Sequence, residues 1–235
     1  MKSRILILLF TISNLTILNS QIVTDRPDQT EASIVLPSNN IQIETGLAVE
    51  KSQSIVNTLF RIGLVKGIEI RLNSNYIINN ELSFLKKSSF GDFEVGTKIQ
   101  ILDNESLNTK IAFLTHLSIP TAQEVFSNNK YGLLSRVLIS HELNTNSQIG
   151  YNIGYNKYKS FEGELIYTLA YSKNLGDFGV FFEIFGDKSK INSNINFDSG
   201  LTYLIDNQKQ IDISIGKGLN NDLFYLSAGF SLNIN

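Results

Sequence analysis

The feature that most constrains this chain is a repeated alternation of apolar and polar residues between Ile41 and Asn235. The alternation recurs in segments of roughly ten residues separated by turn-type residues, without a sustained 3.6-residue periodicity. Successive side chains of a strand point to opposite faces, so each segment has one apolar face and one polar face. Residues 93–101 and 148–156 show the pattern most clearly. The sequence therefore predicts an all-β protein of about twelve strands.

Two architectures contain such strands: a soluble sandwich, whose apolar faces meet in a core, and a membrane barrel, whose apolar faces meet lipid. The polar faces here are rich in Gly, Ser, Asn and scattered opposite charges, which suits a crowded lumen. The segments exceed the ~5–6 residues common in soluble sheets and match the ~9–11 that cross a bilayer. We therefore predict a transmembrane antiparallel β-barrel over residues 41–235, in the outer membrane of a Gram-negative cell, with both ends in the periplasm.

The connections are predicted to alternate between short periplasmic turns and longer external loops. The predicted inner turns are Lys66-Gly67, Asp103–Asn108, Leu143–Asn146, Lys173–Gly176 and Asp206–Lys209, and the predicted long outer loops are Asn80–Ser89, Pro120–Lys130 and Gly186–Asn194. Lysines in the outer loops are either solvated or in contact with lipopolysaccharide phosphates. The expected partners are outer-membrane lipid, lipopolysaccharide, the barrel-assembly machinery during biogenesis, and a small-molecule solute whose identity the sequence does not give.

The N-terminus has the pattern of a secretory signal peptide. A short basic head at Lys2 and Arg4 precedes an apolar stretch from Ile5 to Leu18, and this stretch is shorter than the roughly 20 residues of a spanning helix. Residues 1–20 are therefore predicted to be a signal peptide that is cleaved after Ser20. Because no Cys follows, no lipid anchor is expected.

Composition excludes several classes of function. The 20 basic and 22 acidic residues give a net charge of -2, which offers no electrostatic surface for nucleic acid. The lack of Cys removes disulfides, iron–sulfur clusters and thiolate zinc sites, and two His residues are too few for the usual metal sites. We expect no cofactor and no metal site, and we predict that the protein is not an enzyme.

A charged segment, residues 21–40, precedes the first strand. It contains Thr24-Asp25-Arg26-Pro27-Asp28-Gln29-Thr30-Glu31-Ala32-Ser33 and Leu36-Pro37, and Gln42-Ile43-Glu44-Thr45-Gly46 follows. This run resembles the N-terminal signature of the outer-membrane transporter family named for the meta-pathway of phenol degradation, in its Bacteroidetes-type form. The resemblance implies an outer-membrane barrel that acts as a transporter, an association with the degradation of aromatic compounds, and no catalytic residues.

The segment is too polar to enter lipid, so it lies either in the lumen, as a plug or gate, or in the periplasm, as a tail. A position in the lumen requires partners, because an unpaired buried charge costs several kcal/mol. The charges of the possible plug are Asp25, Arg26, Asp28 and Glu31. The inward cations available to it are Arg61, Arg71, Lys98 and Arg136, and the carboxylates available to Arg26 are Glu69, Glu94 and Glu162.

Two groups of side chains suggest chemistry. His116 and Ser118 share a strand face and resemble the catalytic pair of outer-membrane lipid hydrolases, but alternation turns them toward the lumen and the sequence offers no third orienting residue. Glu162 and Glu164 also point inward, close to Glu183 on the next strand, and paired carboxylates do acid–base work or bind Ca²⁺. Luminal salt bridges are the simpler explanation of these carboxylates.

The function that these features favour is a channel or transporter for small solutes, with hydrophobic or aromatic compounds as one class. The alternative is a phospholipase or deacylase that uses His116 and Ser118, and a purely structural barrel is a third possibility. About twelve strands give a narrower lumen than that of 16-stranded porins, which disfavours a wide general porin. The predicted solute-facing residues are Arg61, Arg71, Lys98, Arg136, Glu162 and Glu164, and the inward aromatic residues are Phe181, Phe185 and Tyr225.

Overall fold

The computed structural model describes residues 22–80, 87–159 and 162–234, and it shows one closed antiparallel β-barrel. The strands are β1 (Ile41–Glu50), β2 (Gln53–Val65), β3 (Ile68–Asn79), β4 (Ser88–Phe90), β5 (Phe93–Asn104), β6 (Thr109–Ile119), β7 (Gly132–Asn144), β8 (Ser147–Tyr158), β9 (Glu164–Leu175), β10 (Phe178–Lys188), β11 (Ser193–Asp206), β12 (Lys209–Gly218) and β13 (Phe224–Ile234). Two single-turn 3₁₀ helices, Glu105–Leu107 and Glu124–Phe126, lie between strands. The predicted all-β barrel fold is confirmed.

Strand β1 closes the barrel, because it pairs with β2 on one side and with β13 on the other. Ile41 lies opposite Ile234 and Glu50 lies opposite Tyr225, so the closure extends along the whole of β1. The short strand β4 and the long strand β5 both pair with β3. Together they fill one position in the wall, which gives a barrel of 12 strand positions.

Five short turns lie at the end of the barrel where Ile41 and Ile234 meet, which we call the inner end. They are residues 66–67, 105–108, 145–146, 176–177 and 207–208. Two of them contain glycines with φ of 80° and 69°, Gly67 and Gly176, in the left-handed region that favours glycine. At the outer end, the predicted long loop Gly186–Asn194 is reduced to residues 189–192, because β10 and β11 extend into it.

The barrel wall reverses the arrangement of a soluble protein. Large apolar side chains point outward and stay exposed, as at Leu169 (51%) and Ile213 (55%). Buried side chains point into the lumen and many carry charge, among them Glu44, Glu69 and Lys98 at 0% exposure. An apolar outer band around a polar interior is the arrangement of a transmembrane barrel, whose outer face contacts lipid.

The residues before β1 do not join the sheet. Residues 22–40 contain no strand, and their hydrogen bonds to inward-facing side chains place them inside the barrel. The predicted signal peptide, residues 1–20, lies outside the described residues. Within the part of the chain that the structure describes, no helix is long and apolar enough to span a membrane.

Candidate functional site: the luminal segment

Residues 22–37, which we call the luminal segment, run around the inside of the barrel wall. The segment hydrogen-bonds to strands on several sides of the lumen, and six of these contacts show its path. In chain order these contacts join Val23 to Gln42 of β1, Arg26 to Asp212 of β12, Thr30 to Thr168 of β9 and Glu183 of β10, Ser33 to Ser140 of β7, and Leu36 to Glu69 of β3.

Asp25 is the most highly connected charge of the luminal segment. Its carboxylate lies 2.5 Å from Arg71, 3.0 Å from Lys98 and 3.5 Å from Arg61, three cations that we call the basic cluster. It also accepts a hydrogen bond from the Ala32 N–H (2.7 Å), which closes the segment on itself. Burial disfavours the charged carboxylate, but the three cations outweigh burial and hold the pKa of Asp25 well below its ordinary value.

Three more carboxylates surround the basic cluster. Glu44 accepts from Arg61 at 3.1 Å, and Glu69 accepts from Arg61 at 2.8 Å and from Arg71 at 3.2 Å. Glu31 of the luminal segment accepts from Arg71 at 2.8 Å. Each charge in and around the basic cluster therefore has an opposite partner, which avoids the cost of several kcal/mol for an unpaired buried ion.

Arg26 anchors the segment to the wall at β12 and β13. One of its guanidinium nitrogens donates to Asp212 (3.1 Å) and to Ser227 (2.9 Å). The guanidinium lies over Gly46 and Gly229, and a Cβ added at either glycine would overlap it. An alanine at either position would therefore force the guanidinium of Arg26 to shift.

Asp28 meets two carboxylates of the wall, Glu183 of β10 and Asp198 of β11, which lie directly opposite each other. Glu183 and Asp198 are 1% and 0% exposed, and Glu183 accepts hydrogen bonds from the Gln29 N–H (2.7 Å) and the Thr30 hydroxyl (2.5 Å). Burial, together with the charges of Glu183 and Asp198, raises the pKa of Asp28 well above its ordinary value.

Among the described residues, no group of three or more His, Asp or Glu has the arrangement of a metal site.

The luminal segment separates cavities at the two ends of the barrel. One inner cavity of about 350 Å³ reaches residues 144–148, and another of about 730 Å³ reaches residues 206–208. Toward the outer end lies a cavity of about 360 Å³, which we call the outer cavity, with Glu50, Ile55 and Arg136 in its lining. The residues that line both an inner cavity and the outer cavity are Arg26, Pro27, Asp28 and Glu31.

Two carboxylates that were predicted to face the lumen lie nearer the outer rim. Glu162 is exposed in the connection before β9 and lies 3.4 Å from Lys190, because the strand begins only at Glu164. Glu164 interacts with Asp187 at the end of β10. The predicted approach of both residues to Glu183 is wrong, since the register places Glu183 opposite Ala170.

The predicted carboxylate partners of Arg26 are also wrong. Glu69 is held by the basic cluster, Glu94 accepts from Asn73 (3.1 Å), and Glu162 lies outside the lumen. Asp212 takes their place because β12 passes beside Arg26. The sequence pattern puts Asp212 on a polar strand face, but it gives no sign that this residue meets the luminal segment.

His116 and Ser118 both face the lumen and are buried. The Nε2 atom of His116 accepts a hydrogen bond from Arg71 (3.1 Å), and its Nδ1 atom lies 3.3 Å from Glu94. The described residues contain no hydrogen bond between His116 and Ser118. Both ring nitrogens are engaged elsewhere, so the geometry does not provide a base for the serine.

For several buried residues, the sequence does not predict a contact with the segment. They are Gln42, Glu44, Thr168, Asp198 and Asp212. In the sequence, each of these residues appears only as a polar residue on the polar face of a strand. Many solvated residues have the same pattern. Only the path of the luminal segment distinguishes these residues from the others.

Comparisons with known proteins support the barrel. A family profile described as "Putative MetA-pathway of phenol degradation" matches residues 24–234. The KdgM porin in complex with disordered oligogalacturonate has a TM-score of 0.64 at 11% identity, over 83% of this chain and 99% of that chain. The COG4313 outer membrane channel from Pseudomonas putida F1 has a TM-score of 0.64 at 10% identity, over 86% and 97%.

The NanC porin has a TM-score of 0.60 at 11% identity, over 83% of this chain and 99% of that chain. No curated protein sequence matches the chain. At these identities the solved structures show a shared fold. They assign no solute to the lumen described above.

Proposed function

Because the chain belongs to the MetA-pathway phenol-degradation family over residues 24–234, we propose that it is an outer-membrane channel for small solutes and that its luminal segment is a plug. The observation that carries this proposal is the contact of Asp25 with all three cations of the basic cluster. These contacts join the segment to β2, β3 and β5, at the height in the barrel where the segment fills the lumen. A solute passes only after these contacts open.

The sheet supports this role because it closes without the segment. The pairing of β1 with β13 completes the ring of backbone hydrogen bonds, so residues 22–37 are not needed to satisfy the strands. The segment is held mainly through charged and polar side chains. When the segment moves, water can form hydrogen bonds to these groups in place of the wall. Water cannot replace an apolar contact in the same way.

The proposed solutes are small organic compounds, including aromatic ones. Phe181 lines an inner cavity, and Tyr225 lines the outer cavity. Both rings lie on the lumen side of the wall, where they offer apolar surface on either side of the plug. No hydrolytic activity is proposed, because His116 is bonded to Arg71 and faces Glu94.

Export by a signal peptide at residues 1–20 and assembly by the barrel-assembly machinery belong to the same proposal. Contact with outer-membrane lipid and lipopolysaccharide also belongs to it. The exposed lysines Lys130 and Lys190 at the outer end supply charge suited to lipopolysaccharide phosphates.

Deletion of residues 24–37 tests the plug in planar lipid bilayers. The barrel is expected to fold, as shown by heat-modifiable migration on gels, and its single-channel conductance should exceed that of the wild type. Equal conductance of the two proteins would contradict the plug. Absence of any channel from both proteins would contradict the channel itself.

A reversible lock tests whether the segment has to move. The hydroxyls of Ser33 and Ser140 lie 2.5 Å apart, and the chain has no Cys, so Ser33→Cys with Ser140→Cys introduces one bridgeable pair. The oxidised protein should remain at its lowest conductance level, and dithiothreitol should restore openings. Each single cysteine variant is the control. Openings that are as frequent in the oxidised protein as in the reduced one would contradict a moving plug.

A further inference from the structure

Arg136 differs from the other luminal arginines. It projects from β7 toward the outer cavity, and its side chain lies along Gly154 of β8 so closely that an added Cβ at Gly154 would overlap it. Arg26, Arg61 and Arg71 each form a salt bridge with a carboxylate. Arg136 has no carboxylate within 4.0 Å and no hydrogen bond in the described part of the chain.

Arg136 interacts electrostatically with Glu94, but the carboxylate of Glu94 is already engaged by other residues. Glu94 accepts from Asn73 at 3.1 Å and lies 3.3 Å from His116. Arg136 therefore presents a half-buried guanidinium whose five N–H donors are free for a ligand. The planar guanidinium matches the two oxygens of a carboxylate, which makes such a pair stronger than one between neutral groups.

The outer cavity provides room and an apolar wall for the rest of such a ligand. Its volume of about 360 Å³ lies at the lower end of the ~300–1,000 Å³ typical of small-molecule sites. Ala48, Ile55 and Leu59 contribute apolar surface to the lining, and Asn57 contributes an amide. The combination of one free cation and a small apolar wall suits a molecule with one charged group and an apolar body.

Acidic residues in the same cavity restrict the charge of the ligand. Glu50 lines the outer cavity, and Glu94 lies near Arg136. A second carboxylate on the ligand would face these groups, and among the described lining residues the other arginines, Arg26 and Arg71, are already in salt bridges. One negative charge is therefore favoured over two.

We propose that Arg136 selects small organic monoanions, in which one carboxylate is joined to an apolar body, and that it binds them in the outer cavity before they pass the plug. This inference rests on the proposed channel function and names its substrate class. Arg136 is the specificity-determining residue, and Ile55 and Leu59 contact the apolar body. The same molecule with an amide in place of the carboxylate should be a poor substrate.

Uptake of benzoate and of its neutral analogue benzamide into proteoliposomes tests the proposal with the full-length barrel. The measured quantity is the ratio of benzoate uptake to benzamide uptake. This ratio should be about tenfold higher in the wild type than in Arg136→Gln, which corresponds to ~1.4 kcal/mol. Arg136→Lys should recover part of the preference. Lys130→Gln removes the same charge from an exposed loop and should keep the wild-type ratio. An equal ratio in wild type and Arg136→Gln, or an equal loss in Lys130→Gln, would overturn the assignment.

Binding measurements separate failure of the site from failure of the channel. If no protein transports either compound, the channel proposal fails, and calorimetry of benzoate with the detergent-solubilised barrel decides the site alone. The site is supported if the wild type binds benzoate and a folded Arg136→Gln variant binds it at least tenfold more weakly. A tenfold change in affinity corresponds to ~1.4 kcal/mol. No binding, or equal binding by both proteins, would overturn it.

Discussion

The Asp25 carboxylate lies 2.5 Å from the Arg71 guanidinium inside the barrel, although 46 positions separate the two residues in the chain. Asp25 belongs to a segment without strands, and Arg71 belongs to β3 of the wall. Both side chains are almost fully buried, at 3% and 1% exposure. This pair therefore connects the proposed plug to the wall of the barrel.

Asp25→Asn should increase the open probability of the channel. Among the described residues, the change removes the only carboxylate within 3.5 Å of Lys98, whose other carboxylate neighbour, Glu31, lies at 3.9 Å. Loss of one partner from a buried ion pair costs about 3–5 kcal/mol. Here the loss destabilises the docked position of the segment relative to the undocked position. Single-channel recording measures the effect. Asp206→Asn, at an exposed pair with Lys209, should behave as the wild type does, and an unchanged Asp25→Asn channel would argue against plug docking through this residue.

Arg26→Glu should raise the open probability because it places a carboxylate beside Asp212, where the wild type has an ion pair at 3.1 Å. Asp212→Arg alone should also loosen the segment, since two cations then meet. The double variant restores opposite charges and should recover part of the closed state. A double-mutant cycle on the open–closed equilibrium is expected to give a coupling of about 0.5–3 kcal/mol. Additive effects of the two changes would show that the pair does not hold the segment.

Channel opening should increase as the pH rises. The pKa of Asp28 in the docked segment lies well above its ordinary value, so docking through Asp28 is fully favourable below the ordinary pKa and is lost as the pH rises through the raised pKa. The pKa of Asp25 is lowered, so its contribution is present above the ordinary pKa and is lost only in strong acid. Conductance should therefore rise as the pH is raised from below the ordinary pKa of an aspartate, because ionised Asp28 is repelled by Glu183 and Asp198.

Asp28→Asn provides the matched control for this pH dependence. The amide cannot ionise, so the rise in conductance with pH should become smaller while channel formation stays intact. The Asp206→Asn variant should keep the wild-type pH profile, because Asp206 lies at the inner rim away from Asp28. A profile that is identical in wild type and Asp28→Asn would assign the pH response to other groups.

An arginine should be tolerated on the lumen face far better than on the lipid face. Leu169→Arg places a charge on the exposed apolar band and should destabilise the folded barrel by about 2–4 kcal/mol if the position is near the bilayer midplane. Asn73→Arg points inward, beside Glu94, and should cost less. Folding into lipid vesicles, followed by heat-modifiable migration, compares the two variants. Equal destabilisation would show that the assignment of the two faces is wrong.

The strands and their faces could be predicted because a strand encodes its own geometry. Leu169 and Glu183 follow the period of two, and the structure exposes the first and buries the second. The failures occur where the partner comes from a distant part of the chain. The strand pattern predicts Glu162 in the lumen only when it is extended past the end of the strand. The pattern does not match Asp212 to Arg26, because 186 positions separate them.

The sequence by itself determined that this protein is a barrel with an apolar outside and a polar inside, since alternation depends only on neighbouring residues and on the lipid or water that each face meets. The charged run from Thr24 to Ser33 also marked a segment that could not lie in lipid. The tertiary structure decided which charges meet. The closure of β1 on β13 brings wall residues from distant strands around the luminal segment, and buried charges are stable only in that particular set of pairs.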